Sequence, residues 1–397
     1  MEQAAAHLSA QKVDYSFIAA GYPYDPKAKV QVCNISTLCR RLDKIKAPDM
    51  VLWDEAHHQA AGQWAKTQER YAGAYHVGLS ATPQRLDGAG LNDYYEEMVT
   101  GPKVAWLIEN GFLSNYSLYR PPCGLDLSKV KKVMGDYNKK QLEEEIERSQ
   151  IVGEVTAQYK KYMDGGRAVV FASSVGKSKE VAERFNDAGI PSAHIDGTTP
   201  KEVRQKLISL FKENKLKVLS NVDLVGEGFD LPGLDGSILL RPTQSAALYL
   251  QQVGRALRVS EGKEKAIIID QVGNSYRHGL PCEDREWTLL GRTKNKREQF
   301  AVKTCPSCFA TFKPGRKACP ECEYVFPAAE VQREIREIEG DLQEVDLKAE
   351  KEKQKAERRE EQSMAETLDD LIAIGKTRGY KSPIGWAKHV YNGRKRR

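Results

Sequence analysis

Short apolar runs alternate with helix-forming stretches twice along this chain, and this alternation limits the possible folds more than any other feature. The first set, between about Val30 and Tyr119, contains VQVCNI, MVLWDEAH and HVGLSAT. The second set begins near Ile151 and contains RAVVFASS, SAHIDG, LKVLSNV, GSILLRP and KAIIID. Strands that alternate with helices form parallel sheets with helices packed on their faces. The sequence therefore predicts an α/β protein with two parallel-sheet lobes.

Composition allows several domains but does not indicate a partner. The 397 residues are 40% hydrophobic, which permits sizeable cores, and the net charge of +6 permits a nucleic-acid partner without requiring one. No apolar run approaches the roughly 20 residues that span a bilayer, and the N-terminus lacks a basic segment followed by an apolar core. We expect a cytoplasmic protein without a membrane partner.

Changes of composition divide the chain into segments. Prolines and mixed charge after Tyr119 indicate a connection between the lobes. From Glu330 to Gln362 the chain is rich in Glu, Lys, Arg and Gln, which predicts a charged helix, either a solvated spacer or a coiled-coil surface. The predicted segments are residues 1–119 (first lobe), 120–150 (interlobe linker), 151–275 (second lobe), 276–300 (linker), 301–328 (cysteine module) and 329–397 (charged helix and small basic C-terminal module).

Two adjacent acids end an apolar strand at Asp54-Glu55-Ala56-His57. A nucleoside triphosphatase needs one carboxylate to hold magnesium (Mg2+) and a second to orient the attacking water. Neighbouring acids at a strand end supply both. Taken alone, the tetrapeptide would favour a helix cap or a surface role.

Further polar groups follow later strands. Ser80 and Thr82 come after the next apolar strand, where their hydroxyls can link nucleotide state to lobe position, although Ser-Ala-Thr-Pro alone is merely a turn. Gly228 and Asp230 lie in GEGFDLP, beside another strand end.

A third group of residues has the pattern Q-x-x-G-R-x-x-R. Gln251 begins it, and Arg255 and Arg258 end it. On a helix, this spacing puts two guanidiniums one turn apart, where they can reach a γ-phosphate.

In order and spacing these segments resemble the motifs of superfamily-two helicases of the DEAD/DEAH type, in the phage and prophage branch related to type III restriction-enzyme translocase subunits. The resemblance covers roughly residues 1–275. It implies two RecA-like lobes that bind ATP and Mg2+ and move along nucleic acid, DNA rather than RNA, in a bacterial or phage-infected cell. It also implies roles for single residues. Asp54 would hold Mg2+, Glu55 would be the catalytic base, and His57 with Ser80 and Thr82 would couple hydrolysis to movement. Gly228 and Asp230 match motif V, and Gln251, Arg255 and Arg258 match motif VI.

The resemblance also assigns nucleic-acid contacts to both lobes. Ser36 and Thr37 match the strand-end segment that touches the backbone from the first lobe, and Ser173 and Ser174 are their counterparts in the second. Such contacts to phosphates and sugars carry little sequence preference. Turn-forming hydroxyls explain the same four residues equally well.

The phosphate-binding loop of this family, Gly-x-x-x-x-Gly-Lys-Ser/Thr, has no match before Asp54. Gly176-Lys177-Ser178 fails because Phe171 stands at the first glycine, and Gly375-Lys376-Thr377 fails because Asp370 does.

We therefore expect an incomplete first lobe, with the loop preceding Met1. A fragment or a mispredicted start is favoured over a second chain that supplies the loop, or a degenerate protein that keeps the fold for binding. The chain alone is expected to bind ATP weakly and to unwind nothing.

Four of the eight cysteines form the repeat CPSCFATF and CPECEYVF. Cys305, Cys308, Cys319 and Cys322 offer four thiolates, which predicts a closed zinc (Zn2+) ribbon, with iron in a rubredoxin-like site as the alternative. The module is expected to stabilise or dock, and the basic residues around it fit nucleic-acid contact and a solvated surface equally well.

The leading hypothesis is an ATP-dependent nucleic-acid helicase or translocase. The alternative is a non-catalytic nucleic-acid-binding or scaffold protein derived from the same fold.

Overall fold

The computed structural model describes most of the chain, in two units, Met1–Pro327 and Ala328–Arg397. The predicted charged helix of residues 330–362 lies outside the described residues except at its end, and Gly228 and Asp230 lie outside them too. The described residues are 1–59, 62–83, 90–121, 127, 130–133, 136–148, 151–222, 233–290, 301–327, 361–362, 365, 367–378, 380 and 382–394.

A six-stranded parallel sheet forms the larger lobe of the first unit, with the order β5-β12-β11-β8-β10-β9. The strands β8, β11 and β12 are rich in valine and isoleucine and are buried along their whole length, as a parallel sheet covered by helices requires. The strands are β5 Tyr116–Tyr119, β8 Ala168–Phe171, β9 Ser192–Ile195, β10 Val218–Asn221, β11 Gly236–Leu239 and β12 Ala266–Asp270.

Helices connect these strands and cover the sheet. Val181 and Phe185 on α7 and Tyr249 and Val253 on α9 are buried in the core of this lobe. The helices are α6 Ile151–Met163, α7 Val175–Asp187, α8 Lys201–Lys212, α9 Ala246–Ala256 and α10 Asn274–His278. The prediction of an α/β fold with a parallel second lobe is confirmed.

The first lobe contains two separate two-stranded parallel sheets. One pairs β1 Tyr15–Ile18 with β2 Val30–Cys33, and the other pairs β3 Met50–Asp54 with β4 Tyr75–Leu79. The helices of this lobe are α1 Glu2–Ala10, α2 Ile35–Cys39, α3 Gly62–Arg70 and α4 Val104–Glu109.

One face of the β3–β4 sheet is apolar and exposed. Leu52 lies opposite Val77 in the register, and Met50 lies opposite Tyr75. Leu52 is 64% exposed and Tyr75 is 76% exposed. Parallel sheets normally have both faces covered, so this exposed apolar face is unusual within the described part of the lobe. The incomplete first lobe stays a prediction.

The boundary between the lobes differs from the predicted one. Tyr116–Tyr119, grouped with the first lobe by the sequence analysis, pairs in parallel with β12 at the edge of the second sheet. The pairing partner lies about 150 residues further along the chain, so no local pattern could reveal it.

The predicted interlobe linker contains regular elements. Strands β6 Lys132–Val133 and β7 Asp136–Tyr137 form a short hairpin, and α5 Lys139–Arg148 follows. Asp136 accepts hydrogen bonds from the Thr243 hydroxyl (3.0 Å) and the Gln244 backbone N–H (2.7 Å), which attaches the hairpin to the second lobe.

The cysteine module contains an antiparallel pair, β13 Lys303–Thr304 and β14 Thr311–Phe312. In the second unit, α11 Leu368–Thr377 and α12 Pro383–Arg394 pack together around Leu371 and Ala387. Among the described residues, no helix has the length and apolar composition to cross a membrane.

Candidate functional site

The acids Asp54 and Glu55 lie at the carboxyl end of β3, where the strand turns into a short 3-10 helix, Ala56–His58. Glu55 adopts left-handed backbone angles (φ 53°, ψ 49°), and its N–H donates to the Asp54 Oδ1 at 3.1 Å. A non-glycine residue in this region costs on the order of 1–3 kcal/mol, and such strain is concentrated at functional sites. The turn keeps two carboxylates adjacent at the edge of the sheet.

His57 contacts both this turn and the turn after β4. Its Nδ1 lies 3.1 Å from the Ser80 Oγ and 3.4 Å from the Glu55 Oε2. The Ser80 Oγ in turn accepts the backbone N–H of Thr82 at 3.1 Å. One imidazole therefore connects the predicted base with the predicted coupling segment.

Close packing holds the two turns together. A Cβ added to Gly78 of β4 would lie 2.8 Å from the Ala56 Cβ and 2.6 Å from the Tyr95 ring, so only glycine fits there. The Tyr95 hydroxyl donates to the Oε1 of Gln59, a fully buried side chain just after the 3-10 helix.

The four hydroxyl residues predicted to touch nucleic acid follow strands β2 and β8 along the chain, and their contact with nucleic acid stays a prediction. Ser36 and Thr37 lie in the first turn of α2, where Ser36 donates to the Gln63 Oε1 at 2.9 Å. Ser174 is the N-cap of α7 and accepts the Lys177 N–H, which supports a structural role for this residue.

The Gly176-Lys177-Ser178 segment is part of α7 and has structural contacts. Lys177 pairs with Glu180 at 2.9 Å, and the buried Ser178 hydroxyl lies 2.8 Å from the Ser220 Oγ. These contacts agree with its rejection as a phosphate loop.

Helix α9 carries Gln251 and Arg255, both half-buried, and Ser245 is its N-cap, whose hydroxyl accepts the Leu248 N–H at 3.1 Å. Arg258 lies outside this helix, contrary to the expectation of two arginines one turn apart on a helix. It forms an isolated antiparallel bridge with Leu113, which follows α4. The helix ends at Ala256, and the carbonyl of the next residue, Leu257, accepts the Ser114 N–H at 2.7 Å.

Lys263 is a residue that the sequence analysis does not identify. Its ammonium donates to the backbone carbonyls of Leu234 (2.7 Å), Arg258 (3.0 Å) and Ala256. Leu234 comes shortly after the motif V segment, and the other two carbonyls end the motif VI segment. These hydrogen bonds of Lys263 could not be predicted from the sequence, because the acceptors are backbone carbonyls, which every residue carries.

The four cysteine thiols converge. All four Sγ atoms lie within 4.8 Å of one another, with Cys305 and Cys322 3.7 Å apart and Cys308 and Cys319 3.6 Å apart. A tetrahedral site with metal–sulfur bonds of about 2.3 Å puts its sulfurs about 3.8 Å apart. The donor set therefore fits one tetrahedral metal ion.

The sequence repeat folds into two equivalent knuckles. The N–H groups of Phe309 and Glu323 donate to the carbonyls of Cys305 and Cys319, each at 3.0 Å. Phe309 and Glu323 both have positive φ, 61° and 57°. The backbone N–H of Tyr324 lowers the pKa of Cys322 to about 7, and the thiolate is the metal-binding form.

Glu321, between the last two cysteines, attaches the module to the six-stranded sheet. Its carboxylate accepts from the Ser117 hydroxyl (2.6 Å), the Tyr119 hydroxyl (3.2 Å) and the Lys265 ammonium (2.9 Å). Burial by itself raises the pKa of Glu321, but the hydrogen bonds from Ser117 and Lys265 lower the pKa below its ordinary value. The edge strand β5 and the residue just before β12 are therefore tied to the cysteine module.

Two protein-family models match the chain. The model of the type III restriction enzyme res subunit matches residues 3–85, and that of the helicase conserved C-terminal domain matches residues 147–260. The first match contains the Asp54 turn and the Ser80 turn, and the second contains Gln251, Arg255 and Arg258.

Known proteins give similar matches. A 51.5 kDa protein of a Lactococcus phage (isolate 7-9) is 36% identical over 336 residues, which are 84% of this chain and 73% of the phage protein. A candidate ATP-dependent helicase of Saccharomyces cerevisiae, IRC3, is 27% identical over 257 residues, 62% of this chain and 37% of the yeast protein. The chain thus spans well under half of the yeast relative.

A solved structure shares the fold. The fragment of a candidate HsdR subunit of a type I restriction enzyme from Vibrio vulnificus YJ016 superposes with a TM-score of 0.54 at 19% sequence identity, over 67% of this chain and 53% of that one. At this identity the likeness concerns architecture alone.

Proposed function

Because this chain belongs to the superfamily-two helicases, in the branch of phage proteins and restriction-enzyme subunits, we propose that it couples ATP hydrolysis to movement along DNA. The observation that carries the proposal is the contact of His57 with both Glu55 and Ser80. It connects a hydrolytic base to a segment able to respond to nucleotide state.

The residues at the β3 edge have the chemistry that a nucleotide site needs. Asp54 is exposed and would hold Mg2+, and Glu55 would accept a proton from the attacking water. Mg2+, when bound, neutralises charge on the phosphates. Arg255 and Arg258 of the second lobe would stabilise negative charge on the transferred phosphoryl group, and Gln251 would orient it.

His57 would report hydrolysis to the rest of the lobe. Its Nδ1 can hydrogen-bond either carboxylate or hydroxyl, so a change at Glu55 alters its bond to Ser80. The backbone N–H of Thr82 donates to the Ser80 Oγ, and Thr82 is 2% exposed, so Thr82 would move together with Ser80. A shift of one turn is therefore transmitted to the other by two hydrogen bonds.

The nucleic-acid track would use hydroxyls of both lobes. Ser36 and Thr37 would contact the backbone from the first lobe, and Ser173 from the second. Gly228 and Asp230 would belong instead to the nucleotide site. Ser174 already caps α7, so its contribution would be to position the loop. DNA is favoured over RNA through the likeness to restriction-enzyme subunits.

The cysteine module would bind Zn2+. Four sulfurs at tetrahedral spacing leave no position for a substrate, which supports a structural ion. The anchoring of Glu321 supports a role in fastening the edge of the second sheet.

A non-catalytic scaffold is the second candidate, because the sequence upstream of Asp54 contains no Gly-x-x-x-x-Gly-Lys-Ser/Thr segment. One experiment separates the two candidates. It compares the 397-residue chain with an extended chain, in which a helicase strand and phosphate loop are joined ahead of Met1. We expect the 397-residue chain to bind ATP weakly and the extended chain to show ATPase activity stimulated by DNA.

Robust DNA-stimulated ATPase activity of the 397-residue chain would contradict the need for the loop. An extended chain that binds DNA but hydrolyses no ATP would favour the scaffold.

Lys263→Met is expected to lower the ATPase activity of the extended chain about tenfold, because it removes three hydrogen bonds that join the ends of the motif V and motif VI segments. A hydrogen bond from a charged group contributes about 1.5–3 kcal/mol, so unfolding should also become easier. Lys263→Arg should retain part of the activity. Lys215→Met, at an exposed surface lysine, serves as the control, and equal activities of the two methionine variants would refute the positioning role.

A further inference from the structure

The last 27 residues, Leu371–Arg397, contain eight lysines and arginines and no aspartate or glutamate. The whole chain has 61 basic and 55 acidic residues, so the remaining residues carry 53 basic and 55 acidic side chains. The excess positive charge of the protein is therefore concentrated in this short stretch. Such concentration is the electrostatic pattern of a nucleic-acid-binding surface.

Most of this stretch belongs to a folded helical hairpin, defined as Thr367–Arg394. Thr367 and Asp370 form a reciprocal capping box at the start of α11. Leu371 and Ala387, one from each helix, are fully buried between the helices. A Cβ on Gly375 would lie 3.1 Å from the Trp386 ring, so the helices approach closely. Lys376 on α11 and Lys388 on α12 thus lie on an ordered scaffold.

Two of the cations are available to a ligand. Lys376 at the end of α11 and Lys388 on α12 are exposed. Arg378 forms an ion pair with Glu361 and therefore belongs to the structure of the hairpin. The acids of the hairpin are Asp369 and Asp370, in the first turn of α11. Their negative charge stabilises the N-terminus of this helix.

We propose that the helical hairpin binds the phosphate backbone of nucleic acid, without sequence preference and without ATP. The choice of nucleic acid as the ligand rests on the proposed function. An anionic membrane is disfavoured because the apolar side chains of both helices pack against each other, and Ile384 is the one exposed large aliphatic residue among the described residues of the hairpin. This second contact with nucleic acid lowers the rate at which the protein dissociates from the strand between steps.

The test uses the full 397-residue chain and a hairpin variant, which carries both Lys376→Gln and Lys388→Gln. Glutamine keeps helix propensity and removes two charges from exposed positions, so the fold should persist. The control, Lys66→Gln with Lys212→Gln, removes two exposed charges from α3 and α8. A second variant ends at Pro327, the boundary of the first unit.

The measurement is fluorescence anisotropy with a labelled single strand of about 30 nucleotides, without nucleotide triphosphate, over a range of salt. We expect the hairpin variant to bind about tenfold more weakly than the control near 100 mM salt, with a salt slope smaller by about 1.4. The chain ending at Pro327 should lose more affinity than the hairpin variant.

Equal affinity and slope in the hairpin and control variants, together with unchanged binding by the chain ending at Pro327, would overturn the proposal. Loss of binding to phosphatidylserine vesicles with unchanged nucleic-acid binding would overturn it in favour of a membrane. The proposed function is tested separately. Glu55→Gln in the extended chain should lower the ATPase activity at least about 100-fold and leave nucleotide-free DNA binding intact. The hairpin variant should bind DNA more weakly and keep its ATPase activity at saturating DNA.

Discussion

Glu55→Gln in the extended chain is expected to lower kcat for ATP hydrolysis about 100- to 10,000-fold, the usual contribution of a general base. Glutamine keeps the shape and the left-handed turn of Glu55 but cannot accept the proton of the attacking water. ATP binding should change by no more than a few fold, because Asp54 and the added phosphate loop remain. Steady-state ATPase kinetics with and without DNA, together with equilibrium ATP binding, measure both quantities.

Glu69→Gln is the matched control for this change, because Glu69 is an exposed acid on α3 of the same lobe. Its activity should equal that of the parent chain. A Glu55→Gln protein that retains more than about a tenth of the parent kcat would exclude Glu55 as the base, since a general base contributes at least about 100-fold. Asp54 would then be the acid to test next.

Removal of the metal is expected to have the second large effect. Cys308→Ser, or treatment with a chelator, should abolish binding of one zinc ion per chain and lower the free energy of unfolding by about 5 kcal/mol or more, because metal binding supplies folding energy to such modules. The loss should reach the second lobe, since Cys305, Ala310 and Phe312 belong to the same apolar core as β8 and β12. Elemental analysis and denaturant unfolding followed by circular dichroism measure the two outcomes.

Cys39→Ser is the control for the cysteine change, because Cys39 is a half-buried thiol far from the repeat in sequence. It should keep one zinc per chain and the parent stability. A purified protein with visible absorption and bound iron would replace zinc by the rubredoxin-like alternative. Full stability of the Cys308→Ser variant without metal would show that the knuckles fold by packing alone.

A second variant separates the metal from the anchor. Glu321→Gln retains all four cysteines but weakens the contacts to Ser117, Tyr119 and Lys265. We expect it to keep its zinc and to lose about 1.5–3 kcal/mol of stability, the range for hydrogen bonds to a charged group.

Local patterns in the sequence were sufficient to predict several parts of the molecule. The strands of the second sheet are continuous apolar runs such as AVVF and AIIID, so composition alone indicates burial on both faces. The spacing of Cys305, Cys308, Cys319 and Cys322 predicts convergence, which the structure confirms. The proximity of the Asp54 turn and the Ser80 turn follows from two adjacent parallel strands, whose carboxyl ends share one edge.

Other features depend on contacts between distant segments. Arg258 leaves its helix to pair with Leu113, and Tyr116–Tyr119 joins the second sheet through β12. Glu321 meets Ser117 across 204 residues of chain. No window of neighbouring residues contains both partners of such a pair, so periodicity and propensity carry no information about them.

The amino-acid sequence by itself determined which segments become strands, which helices cover them and which cysteines converge, because these depend on local periodicity, burial preference and spacing. Only the tertiary structure decided where the lobes divide, where the motif VI helix ends, and which lysine and glutamate hold the segments in place. Those outcomes depend on backbone carbonyls and hydroxyls that long-range packing brings within hydrogen-bond distance, and every residue offers a carbonyl regardless of its identity.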